Sequence, residues 1–168
     1  MRFTHTLPLV LVLGLAACSG DSKETTVTFT DPVAAMDQAD AAAASGNAAT
    51  AKAGYEYAAE NGDAKLQGDA LLALVNLHLD GGNEEGAMAA FESLKADFAG
   101  HLTGAGLLKL CDAAVAAAMP DAGDEMVAYA MATFPALKDQ LAKPAGAFEA
   151  IRTQGPGADL SGLGYAGD

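Results

Sequence analysis

The sequence predicts an all-α protein, a short α-solenoid of about three antiparallel helical hairpins. The chain is rich in alanine, the best helix former, and it has no tryptophan and few other aromatic residues. Between residues 31 and 152, apolar residues recur at the spacing of amphipathic helices. A pattern of a tight turn followed by a helix also recurs along the chain, which is typical of repeat proteins. We expect one helical domain over residues 31–152.

The N-terminal segment, residues 1–17, predicts a cleaved leader. Residues 1–6 carry one arginine, residues 7–17 are almost wholly apolar, and two small residues precede Cys18. Leu15-Ala16-Ala17-Cys18 resembles the lipobox of bacterial lipoproteins. The resemblance implies cleavage before Cys18, lipidation of its sulfur and attachment to a membrane of the cell envelope. Ser19 in place of aspartate at the next position implies the outer membrane, facing the periplasm, in a Gram-negative cell. A plain secreted protein with a chance cysteine is the alternative.

Residues 18–30 predict a flexible tether between the lipid and the domain, because most of them are small or polar and cannot bury enough surface to fold. Near its end, Val27 and Phe29 alternate with threonines. This short run is either the extended end of the tether or a strand that adds to the sheet edge of a partner.

The first hairpin opens at Asp31-Pro32, a capping residue followed by proline at the first helical position. Its second helix follows a turn that returns 36 residues later. Both copies read Gly-Asn-x-x-x-Ala-x-x-x-aromatic-Glu, since glycine and asparagine tolerate the backbone of a tight turn. The copies are Gly46, Asn47, Ala51, Tyr55 and Glu56, then Gly82, Asn83, Ala87, Phe91 and Glu92.

The second hairpin has an apolar stripe on each of its helices, spaced to pack against the other. The stripes are Leu71, Leu74, Val75 and His78, then Ala87, Phe91, Leu94 and Phe98. This hairpin resembles a degenerate tetratricopeptide repeat, with Val75 in place of the favoured glycine and a spacing of 36 instead of 34 residues. The resemblance implies a binding groove lined by first helices, to which the second hairpin contributes Asp69, Leu72, Asn76 and Leu79.

A third, weaker copy pairs residues 78–83 with residues 119–124 at a spacing of 41, and so predicts the third turn at 119–124. Its two helices carry the apolar residues Leu107, Leu110, Ala114 and Ala118, then Met126, Val127, Ala130, Met131 and Phe134. Pro135 ends the second helix, and residues 136–152 predict one or two shorter helices interrupted at Pro144. Residues 153–168 are rich in glycine and predict a flexible tail. Within it, residues 162–167 fit GxGxxG by chance, because a dinucleotide site needs a strand before the motif and a helix after it.

The charge and the motifs argue against several functions. The formal net charge is −13, or −14 once Arg2 leaves with the leader, and no cluster of basic residues offers a surface for nucleic acid. Neither His78, on a packing stripe, nor His101, in a turn, belongs to a catalytic or metal-binding motif. Cys111 lies in an apolar helix, which is typical of a small buried residue. We expect no enzymatic activity, no metal and no cofactor.

These patterns predict a membrane-anchored, non-catalytic interaction or scaffold module that docks an envelope protein or an extended peptide. A receptor for a small apolar ligand, held between alanine-lined helices, is the alternative. An enclosed apolar cavity would favour the receptor, whereas a solid core beside an open groove would favour the interaction module.

Overall fold

The computed structural model of the protein describes residues 27–165. The predicted leader, Cys18 and the tether up to residue 26 lie outside the described residues, as do residues 166–168. The described part is helical and contains no strand, so the all-α prediction is confirmed. Its α-helices are α1 (Pro32–Ala44), α2 (Ala48–Asn61), α3 (Ala64–Asp80), α4 (Glu84–Asp97), α5 (Gly104–Ala116), α6 (Pro120–Thr133) and α7 (Lys138–Gln154). Short 3₁₀ helices are formed by Ala99–His101, Pro135–Leu137 and Ser161–Leu163.

Most of these helices begin at a polar residue whose side chain caps the first turn. The Asp31 carboxylate accepts a hydrogen bond from the backbone N–H of Ala34 at 2.7 Å, and Pro32 is the first residue of α1, as predicted. The side chains that cap α2, α3, α4 and α5 in the same way are Asn47, Asp63, Asn83 and Thr103. Each cap supplies an acceptor to an N–H group that has no partner within its own helix.

The turns within the three hairpins share one backbone geometry at a constant spacing of 36 residues. Their central residues have left-handed φ angles: 78° at Gly46, 71° at Gly82 and 54° at Ala118. In each turn the next residue donates its N–H to a carbonyl five residues back, as Asn83 does to His78 at 2.9 Å. This bond and the one before it form a Schellman motif, which satisfies carbonyls left free at the end of a helix.

The prediction of a third turn at residues 119–124 is therefore wrong. The turn is at Ala117–Met119, and residues 121–124 already lie inside α6. The predicted turn paired Gly82 with Gly123, whereas the left-handed position of the third turn is held by an alanine, Ala118. Ala118 consequently belongs to the turn and not to the apolar stripe of α5.

The helices pack in an alternating order. Contacts join α1 to α2, α2 to α3, α3 to α4, α5 to α6, and α6 to α7. The first helices of successive hairpins also touch, α1 with α3, α3 with α5 and α5 with α7, and α4 touches α6. One apolar core runs through the described residues, and its largest fully buried side chains are Phe91, Phe148, Leu79, Leu94, Leu107, Met126 and Leu141.

Helix α7 is continuous from Lys138 to Gln154, so the predicted interruption at Pro144 is wrong. Proline inside a helix removes one backbone hydrogen bond and normally kinks or breaks it. In α7 the buried side chains on both sides of Pro144 hold the helix against α5 and α6. Phe148 packs so closely on Gly123 of α6 that a Cβ at Gly123 would overlap its ring.

Polar contacts connect α6 to the helices on either side of it. Glu84 of α4 accepts hydrogen bonds from the backbone N–H groups of Asp121 at 2.8 Å and Ala122 at 3.1 Å. Since Met119, which precedes α6, supplies no side-chain cap, Glu84 caps α6 from the preceding hairpin. Arg152 of α7 pairs with Asp124 at 2.7 Å and so fixes the same end of α6 from the other side.

Candidate functional site

The predicted groove residues of α3 are only partly on the surface. Asn76 is exposed, and its side chain donates to the Leu72 carbonyl one turn back at 2.9 Å. Asp69 is half-buried and pairs with Lys65 at 2.6 Å, while His101 Nε2 lies 3.7 Å from the other Asp69 oxygen. Leu72 is half-buried against the core. Asp69, Leu72 and Asn76 can therefore contribute to a contact surface.

The structure places Leu79, the fourth predicted groove residue, in the core beneath a depression between α3 and α5. Its side chain is only 1% exposed and belongs to the core. It lies under a shallow depression of about 210 Å³ that α5 borders with Ala113, Ala116 and Ala117. Leu79 is buried because α5 packs beside α3 and covers the last turn of α3.

The corresponding face of the third hairpin lies between α5 and α7. Leu108 and Asp112 of α5 stand 36 residues after Leu72 and Asn76, which is the spacing of the turns. With Asp139, Gln140, Lys143 and Pro144 of α7, they line an open cavity of about 370 Å³. We call this the α5–α7 face.

The chain itself lies against the α5–α7 face. The sequence predicted a flexible tail from Thr153, but Thr153 and Gln154 are the last residues of α7. After the left-handed Gly155 (φ 91°) the chain turns back, and Ala158, Leu160 and Tyr165 pack on the core. Partly buried apolar side chains thus hold a segment whose glycine content had suggested disorder. We call residues 158–165 the docked tail.

Tyr165 makes the most specific contacts of the docked tail. Its hydroxyl donates to the Asp112 carboxylate at 2.8 Å, and the Lys143 ammonium lies 3.9 Å from the centre of its ring. Lys143 also donates to the Gly164 carbonyl at 3.2 Å. Burial and the Asp112 hydrogen bond raise the pKa of the Tyr165 phenol, so it stays a neutral donor. The sequence signal for this contact is a lone aromatic residue in a glycine-rich segment.

A second concavity, of about 450 Å³, lies between α2, α3 and α4. It is open, and charged and polar side chains border it together with apolar ones: Lys52, Glu56, Leu71, Leu74, His78, Asn83, Glu85, Ala89, Ala90 and Ser93. His78 had been predicted to lie on a packing stripe, and the structure places it half-buried at the wall of this concavity.

Asn83 fixes the tautomer of His78. The Asn83 side-chain oxygen accepts from the Gly86 N–H at 3.0 Å, so its amide nitrogen is the group that lies 3.0 Å from His78 Nδ1. An amide nitrogen only donates, and Nδ1 must therefore be the unprotonated ring atom. Burial, and to a lesser extent the nearby Lys52 charge, lower the pKa of His78.

The last residues of the predicted tether contact α2. The ring of Phe29 lies 5.6 Å from the ring of Tyr57, and it also approaches Gly54. Residues 27–29 have no strand conformation in the structure. The last residues of the tether therefore lie against α2, and Glu56 of α2 borders both this contact and the concavity of His78.

The surroundings of Cys111 and the grouping of histidine and acidic side chains bear on reactive and metal-binding chemistry. Cys111 is fully buried, and burial raises the pKa of its thiol to about 12, so it is not a nucleophile at neutral pH. In the part of the chain that the structure describes, no three His, Cys, Asp or Glu side chains are grouped so as to hold a metal ion. None of the helices within residues 27–165 is both long and apolar enough to cross a bilayer.

No protein-family model, no curated protein and no solved structure matches this chain.

Proposed function

We propose that the protein is a lipid-anchored, non-catalytic interaction module of the bacterial envelope, built as a short tetratricopeptide-like solenoid. The observation that carries the proposal is the side-by-side packing of the first helices α1, α3, α5 and α7. In stacked hairpins such helices form one continuous, extended surface suited to proteins and peptides. The lipobox at Leu15–Cys18 supports the anchor, and a single domain on a polar tether supports a role near the membrane.

The form of the cavities favours this role over the binding of a small apolar ligand. A ligand of that kind needs an enclosed, largely apolar pocket. The concavity of His78 and the α5–α7 face are both open and carry charged side chains. Alanines and glycines let the helices approach closely, and the core side chains are fully or almost fully buried.

Crosslinking in intact cells tests the proposal. A photoreactive amino acid is placed at Asn76, on the first-helix side, and separately at the exposed Ala96 on α4 as the matched control. We expect one envelope protein to be captured from position 76, not from position 96, and to be lost when Cys18→Ser prevents anchoring. Equal capture from both positions, or capture unaffected by Cys18→Ser, would contradict the proposal.

A further inference from the structure

The docked tail shows what kind of segment the first-helix surface accepts. It is a short run of mostly small residues that makes one 3₁₀ turn at Ser161–Leu163 and carries two leucines, Leu160 and Leu163, and one tyrosine. Leu163 lies over Gly146 of α7 and stays partly exposed. The tail therefore occupies the α5–α7 face as a bound peptide would.

Two contacts select a tyrosine at the end of this segment. Asp112 offers only acceptor oxygens when ionised, so it requires a hydroxyl or N–H donor. Lys143 over the ring favours an electron-rich aromatic side chain. Phenylalanine would keep the ring contact but would leave Asp112 without its donor.

The cavity beside Tyr165 carries more negative than positive charge. Its lining carries two carboxylates, Asp112 and Asp139, and one cation, Lys143, which already contacts Tyr165. In the sequence, Ala166, Gly167 and Asp168 come next, and they are small or acidic. A basic side chain after the tyrosine would complement this lining better.

We propose that the α5–α7 face is the docking site for a short partner segment in which a tyrosine is followed by lysine or arginine, and that the docked tail holds this site until the partner displaces it. The inference rests on the proposed interaction function and names the partner's chemistry. Gly155, Pro156 and Gly157 connect α7 to the docked tail, and no atom lies within 4 Å of a Cβ built at Gly155 or Gly157. This open connection lets the tail leave without unfolding α7.

The test measures the binding of two labelled peptides by fluorescence anisotropy. One has the sequence of residues 160–168, LSGLGYAGD, and the other is the same peptide with Asp168→Lys. The protein is the full chain without its leader, carrying Cys18→Ser, with or without Tyr165→Ala to release the tail. We expect the lysine peptide to bind the Tyr165→Ala chain at least about tenfold more tightly than the unsubstituted chain. In the unsubstituted chain the peptide must first replace the hydrogen bond from Tyr165 to the Asp112 carboxylate, and one such charge-assisted bond corresponds to about this ratio.

Further variants assign that binding to the face. In the Tyr165→Ala chain, Asp112→Asn is expected to weaken both peptides, and Asp139→Asn to weaken the lysine peptide alone. Glu60→Gln on α2 is the charge-matched control and is expected to change neither. A peptide with Tyr165→Phe is expected to bind less tightly than its tyrosine parent. If Tyr165→Ala loses helical circular dichroism, Tyr165→Phe in the chain replaces it.

Several results would overturn the inference. One is equal affinity for the chains with and without Tyr165→Ala, and another is binding that Asp112→Asn leaves unchanged. A doubled mass in light scattering that Tyr165→Ala abolishes would show that two copies exchange tails instead. Peptide binding without any crosslinked partner in cells would sustain the docking site and refute the proposed function. A partner captured at Asn76 without peptide binding would sustain the proposed function and refute the docking site.

Discussion

Replacing Ala118 by glycine is expected to stabilise the protein. Ala118 holds the left-handed position of the third turn at φ 54°, where the first two turns have glycine. The left-handed conformation costs an L-residue about 1–2 kcal/mol. Glycine removes that cost but adds freedom to the unfolded chain, which is worth about 0.4–1 kcal/mol in the opposite direction. The net expectation for Ala118→Gly is a gain of about 0.5–1 kcal/mol in the free energy of unfolding.

The assay is urea denaturation of the leaderless chain followed by circular dichroism. Ala117→Gly is the matched control, because Ala117 has an ordinary φ of −80° and gains nothing from glycine. It is expected to lose about 0.4–1 kcal/mol, the unfolded-state effect alone. If Ala118→Gly is no more stable than Ala117→Gly, the third turn is not left-handed at Ala118 and the 36-residue register is refuted.

Three further changes test other contacts. Glu84→Ala is expected to cost about 1 kcal/mol of stability in urea denaturation, since α6 loses its cap, whereas Glu85→Ala next to it should cost much less. Gly123→Ala is expected to cost about 1–3 kcal/mol by thermal denaturation, because its methyl group meets the buried ring of Phe148; a cost no greater than that of Gly157→Ala would contradict the packing. The lowered pKa of His78 means that the unfolded chain binds this proton more readily, so stability is expected to fall as the pH drops below about 6.5. That loss should shrink in His78→Gln, and an identical pH profile for His78→Gln would refute it.

The sequence predicted most helices because their signals are local. Asp31-Pro32 and the two Gly-Asn turns mark helix boundaries through capping and left-handed glycine, and the structure confirms them. The position of the third turn was not predicted correctly because Ala118 adopts a left-handed conformation that alanine usually avoids. The predicted break at Pro144 is wrong for a related reason. The packing of α7 against α5 and α6 outweighs the local helix-breaking preference of proline.

The candidate site was harder to predict because it depends on neighbouring helices. Asn76 is exposed as its helical position indicates, yet Leu79, three residues later, is buried by α5. The pairing of Tyr165 with Asp112 joins residues 53 apart, which no local pattern records. The glycines of residues 153–168 predicted a flexible tail. The apolar and tyrosine contacts of this tail depend on α5 and α7 lying side by side, which no local pattern in the sequence records.

The cap that Glu84 provides to α6 has a consequence for how the molecule unfolds. In an array of hairpins that touch only through apolar faces, each hairpin can open with a free energy of its own. Here the first turn of α6 is completed by a carboxylate from α4, so opening the second hairpin also exposes the N–H groups of Asp121 and Ala122. Amide hydrogens of that turn should therefore exchange with solvent together with those of α4, as one cooperative unit.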